Sequence, residues 1–169
     1  MKLVSRFVSV FFGLTALILA AGPTSARGSE LMPATGQPQH AMGFKYEDLK
    51  WDKIFPELGD KSAEITMLHV DPVSHETLLM IRVPKNFHIP KHWHTANETL
   101  VILSGTFILE CDGKRESLGP KSSIFLPAKM VHEAWSADED VVLFVPIDGA
   151  WDLNWVDGPP KPSDLIGGR

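Results

Sequence analysis

The sequence predicts an all-β domain of short antiparallel strands, and three observations lead there. Runs rich in β-branched and aromatic residues recur along the chain. Gly-, Pro- and Asp-bearing turns separate them. No stretch of about 10 to 15 residues between them carries helical periodicity. A sandwich, jelly roll or barrel accommodates such a series, whereas a parallel α/β sheet needs intervening helices.

Lys2 and Arg6 precede an apolar run from Phe7 to Ala21, and Thr24, Ser25 and Ala26 then offer the small residues a signal peptidase reads. Residues 1–26 therefore read as a secretory signal, and a secreted or periplasmic location is expected. The run falls short of the roughly 20 residues a spanning helix needs, and no later segment reaches that length, so a multi-spanning membrane protein is excluded. An uncleaved anchor is the alternative. Residues 27–43, RGSELMPATGQPQHAMG, have the composition of a flexible linker. His40 inside it reads as solvated. From Phe44 to Leu58 the apolar residues are spaced irregularly and broken by Pro56, so this N-terminal extension is expected to wrap the edge of the domain.

Strands are expected at 64–70, 77–83, 98–104, 106–111, 123–126, 132–135 and 141–146. Asp112-Gly113 is the clearest hairpin turn. A single domain then covers 44–155. Trp151 begins a segment expected to pack, and 156–169, ending in GPPKPSDLIGGR, is expected to be a loose tail.

Composition narrows the function. A formal charge of −5 with no block of Lys or Arg gives no electrostatic footprint for nucleic acid or an anionic membrane surface. The single cysteine, Cys111, excludes an intramolecular disulfide, a Cys-rich zinc site and a lipoprotein anchor after the apolar run. With no basic residue placed to ionise it, it reads as a passive thiol. Any metal must be held by histidines and carboxylates, and seven histidines make that feasible.

His92-Trp93-His94 places two imidazoles two residues apart, so on a strand both point to one face while Trp93 points to the other. Glu98 follows ahead of the apolar run Thr99 to Leu103, and a turn there returns a carboxylate toward the same point. Pro127 precedes a further imidazole, His132, at the start of another strand. Leu100 and Ile102 share the Glu98 face and are expected to line an apolar pocket, with Phe107 and Ala134 as further candidates. His88 lies four residues before His92 with Pro90 between them, and reads as a rim or supporting residue.

The run HWHTANETLVILSG, from His92 to Gly105, resembles the first motif of the cupin superfamily, and the spacing of Pro127 and His132 resembles the second. Cupins usually carry Gly where this chain has Asn86, Lys121 and Lys129, and often Asn where it has Ser136. The resemblance implies a cupin-type double-stranded β-helix, a jelly-roll barrel, with one divalent transition metal held by His92, His94, Glu98 and His132. Three imidazoles and a carboxylate suit Fe, Mn, Ni, Cu or Zn. The leading functional expectation is a non-haem-metal oxidoreductase, dioxygenase-like, acting on a small organic molecule. The alternatives are a metal-assisted isomerase and a non-enzymatic cupin that binds or senses a small ligand through its metal. The resemblance also suggests a homodimer.

Overall fold

The structure is a computed structural model and describes residues 40–167. The expected signal segment and the linker up to residue 39 lie outside the described residues. Among the described residues no helix is long and apolar enough to cross a membrane. The strands in chain order are β1 (Asp52–Lys53), β2 (Glu64–Val70), β3 (Thr77–Val83), β4 (His88–Trp93), β5 (Glu98–Ser104) and β6 (Phe107–Cys111). They continue with β7 (Lys114–Leu118), β8 (Ser123–Leu126), β9 (His132–Ser136), β10 (Val141–Ile147) and β11 (Asn154–Trp155), and a short helix α1 (Pro162–Leu165) follows.

Two sheets face each other, one ordered β1-β2-β3-β10-β5-β8 and the other β11-β4-β9-β6-β7. Every pairing is antiparallel. This is the all-β jelly roll that the resemblance implies. Alternation makes the core: along β10, Val141, Leu143, Val145 and Ile147 are buried while their neighbours are half-buried. Leu79, Ile102, Leu109 and Leu126 meet them between the sheets. Each such side chain contributes about 1.5–3 kcal/mol by leaving water. The N-terminal extension adds β1 to the edge of β2 and sends Phe55 inward against Phe87 and Trp155.

Asn86, Lys121 and Lys129 all adopt left-handed backbone, with φ of 56°, 74° and 64°. The bends glycine usually serves are therefore kept without glycine, because each bend places a backbone N–H on a carbonyl across the barrel. The amide of Asn86 donates to Ala137, that of Lys121 to Ile102, and that of Lys129 to His94. The hydrogen bonds offset a left-handed cost of roughly 1–2 kcal/mol per residue.

The C-terminal segment departs from the expected loose tail. Leu165 is completely buried, Ile166 bridges to Phe87, and the Asp164 carbonyl accepts from Nδ1 of the His88 ring. Two adjacent apolar residues in a run of Gly, Pro and charge are too weak a signal to read from sequence, yet Leu165 and Ile166 dock the segment against β4 and Phe87.

Candidate metal centre

Strand β4 aims the site. Its pairing with β9 sets Ile89 opposite Ala134 and His92 opposite His132, so Pro90 and Lys91 together face Glu133. The extra residue is a β-bulge, and it switches which residues face inward. His92 consequently faces the interior, directly across from His132. His88, which unbroken alternation would put on the same face as His92, points outward instead. It stacks on Trp135 and pairs with Glu133 at 2.6 Å.

The interior group is buried: His92, His94, Glu98 and His132 are each no more than 6% exposed. One ring nitrogen from each histidine lies within 4.8 Å of the others. A carboxylate oxygen of Glu98 stands 3.3 Å from Nε2 of His94 and 3.9 Å from Nε2 of His132. The Nδ1 atoms of His92, His94 and His132 meet the carbonyls of Pro90, Asp152 and Met130 at 2.7, 2.5 and 3.0 Å. A carbonyl only accepts, so each Nδ1 carries a proton, which leaves Nε2 as the nitrogen turned toward the interior group. Orienting the outer nitrogen this way is what metal-ligating histidines require.

Burial pushes the His92 imidazole well below the usual histidine range, and the neighbouring imidazoles reinforce this. Burial also brings His132 down to about 4. Glu98 moves the other way: burial lifts its carboxyl above the usual range, and His94 partly offsets the rise. Neutral imidazoles beside a desolvated carboxyl form a donor set that a divalent cation suits, since the cation supplies the charge the burial leaves unbalanced. The three-histidine group could therefore hold a metal, and the donor set fits one; nothing in the geometry selects its identity.

A small cavity of about 50 Å³ opens onto these residues. Leu100, Phe107 and Ala134 line it. Ile102 does not: it shares the face of Leu100 but sits one strand repeat further, sealed in the core at 1% exposure. His88 is absent from the wall because of the bulge. Sequence reasoning missed Trp151 and Leu153, which close the cavity from the segment after β10, and Ile89, which the bulge turns inward. It also missed Asp152, whose backbone carbonyl holds His94 and whose carboxylate caps the amide and hydroxyl of Thr95. Against burial, these Thr95 hydrogen bonds hold the Asp152 carboxyl below the usual range. The clustering of Trp151, Asp152 and Leu153 after the last long strand was the one available hint. Cys111, half-buried beside the Asp112 turn, has its thiol pushed up by burial and then by Asp112, in keeping with a passive role.

An all-β cup with three inward imidazoles and a carboxylate defines a class of protein, and comparison with known proteins names the family. Residues 79–148 match the family model described as a cupin domain. That stretch is a cupin domain, and the fold it belongs to is shared with RmlC-like cupins among solved structures. No curated protein matches the chain in sequence. Among solved structures it is similar to an RmlC-like cupin protein from Ralstonia eutropha (18% identity, 65% of this chain and 69% of that one, TM-score 0.54). It is also similar to the polyketide cyclase RemF from Streptomyces resistomycificus (21%, 74% and 90%, 0.57). A third is the DMSP lyase DddQ from Ruegeria pomeroyi (17%, 67% and 64%, 0.57). At these identities the likeness is one of fold.

Proposed function

We propose that the chain is an exported metal-dependent cupin that oxidises a small organic molecule with an apolar body, in the manner of a dioxygenase. The observation that carries this reading is the cavity wall: among the described residues, His92, His94, Glu98 and His132 are its only ionisable side chains. Leu100, Phe107, Ala134, Leu143 and Leu153 give an apolar seat that excludes water and takes up the body of a substrate. A redox-active metal held by the four residues would supply Lewis acidity and electron transfer to dioxygen. The wall offers no acid or base of its own beyond the group that would hold the metal, which suits a reaction in which the protein moves few protons. Glu98, with its carboxyl lifted by burial, is the one residue placed to hold a proton near the site.

That last property also favours a second reading, a redox-neutral isomerisation or elimination, and the lyase and cyclase among the structural neighbours lend it weight. Chelator-stripped protein reloaded separately with Fe(II), Mn(II), Ni(II), Cu(II) or Zn(II), and assayed in an oxygen electrode against diketones and flavonols, separates the two. The oxidative reading predicts substrate-dependent oxygen uptake with a redox-active metal and none with Zn(II). Turnover that proceeds equally with Zn(II) and without oxygen overturns it in favour of the second.

A further inference from the structure

Trp151 lines the cavity, and its indole Nε1–H is buried with no hydrogen-bond partner. Buried donors are nearly always paired, so an orphan in a cavity wall points to a partner that arrives with a ligand. Apart from the four candidate metal ligands, it is the only side-chain hydrogen-bond donor in the wall among the described residues. The segment that carries it is fixed on both sides. The Asp148 carboxylate accepts from the Asn97 amide at 2.9 Å, and the Gly149 carbonyl accepts from the Thr77 hydroxyl at 3.0 Å. The Asp152 carboxylate accepts from the Thr95 amide at 2.8 Å, and the Asp152 carbonyl accepts from Nδ1 of His94. The indole is thus held in register with the imidazole group by the residue next to it in the chain.

We propose that Trp151 is a positioning and specificity-determining residue: its indole N–H donates to an oxygen of the bound small molecule and orients that molecule toward His92, His94 and His132. The ligand class is an organic molecule with an apolar body and at least one carbonyl, enolate or carboxylate oxygen. The inference rests on the reading that the cavity takes a small organic molecule. A molecule of the same shape without the oxygen would leave the donor unpaired and be disfavoured, which is how a buried polar group discriminates.

A matched pair of probes tests this, cyclopentanone and cyclopentane, with protein loaded with diamagnetic Zn(II). Trp151→Phe keeps the ring and removes the donor. The expected result is a cyclopentanone affinity roughly 5- to 20-fold weaker in W151F, the scale of one lost hydrogen bond, with cyclopentane affinity changed less than about twofold. Metal content should equal that of the wild type. In the wild type, cyclopentanone should move the Trp151 indole N–H proton resonance downfield and cyclopentane should not. Should W151F fail to fold, that resonance, assigned sequentially in the wild type, decides alone. If both probes bind but the ketone preference is the same in both proteins and the indole signal stays still, the role of Trp151 is overturned while the cavity reading stands. If neither probe binds the wild type, the cavity reading fails and the inference fails with it.

Discussion

His92 and His132 face each other across the β4–β9 pair with ring centroids 4.1 Å apart, and each donates Nδ1–H to the carbonyl two residues before it. Each strand thereby anchors its own imbedded ring, and neither ring is easily protonated. In an unfolded chain both would take up protons near 6.5, whereas folded His132 does so near 4 and His92 well below its ordinary value. The unfolded state then binds more protons in that window, so stability present above about pH 6.5 is lost as pH falls toward 4. Glu98 opposes this: its raised carboxyl binds a proton in the fold above the ordinary 4.5, which regains some stability on acidification. Two rings outweigh one carboxyl, so the metal-free protein should melt at lower temperature at pH 5 than at pH 7. A thermal series followed by circular dichroism checks this, and a Tm that rises toward pH 5 contradicts it.

Glu98→Gln separates stability from metal binding. Removing a desolvated carboxyl that no cation balances should raise the Tm of the metal-free protein at pH 7, by about 1–2 kcal/mol of stability. The same change should weaken metal affinity at least roughly tenfold. Calorimetry on stripped protein, with and without added Zn(II), reads both. Loss of stability in the metal-free variant would show that the carboxyl is satisfied without a cation.

Gly105 has φ of +78°, and a Cβ there would meet the Asp140 carbonyl oxygen at 2.4 Å and Val141 Cα at 2.9 Å. Both are backbone atoms and cannot swing aside. Gly105→Ala should cost about 3–5 kcal/mol, combining a left-handed non-glycine with displaced backbone. Urea denaturation measures it; a cost under about 1 kcal/mol would mean that the turn between β5 and β6 is far looser than it stands here.

Lys121 and Lys129 offer the converse test. Glycine at either position relieves left-handed strain but loosens the unfolded chain, so the net gain should be small, about 0.5 kcal/mol each. Asn86→Gly should gain less, since Asn tolerates positive φ better than Lys. Metal content should stay unchanged in all three, because their contribution is through the backbone bonds to Ile102, His94 and Ala137.

Much of this was legible in the residues themselves. Alternation located β2, β3, β5 and β8 to the residue, and the His92, His94, Glu98 and His132 spacing picked out the buried group. Other features escaped for physical reasons. Strand β7, KRESL, is an exposed edge with no apolar alternation to signal it, and it forms because β6 offers a free edge across the Asp112-Gly113 turn. The bulge at Pro90 and Lys91 reverses side-chain parity, and nothing in HIPKHW says on which side of Pro90 the register slips, so His88 could not be placed outward. Ile102 was correctly faced but too deep. Trp151 and Leu153 reach the cavity from a loop, where periodicity carries no information about direction.

The central claim is that His92, His94, Glu98 and His132 hold one metal ion, and elemental analysis of protein purified without chelators tests it most directly. The account predicts about one equivalent of a divalent transition metal per chain in the wild type and less than about a tenth of that in the His92→Ala, His132→Ala double variant, with both proteins folded. Equal metal content in the two proteins, or none in a wild type that also fails to take up added Zn(II), would contradict it.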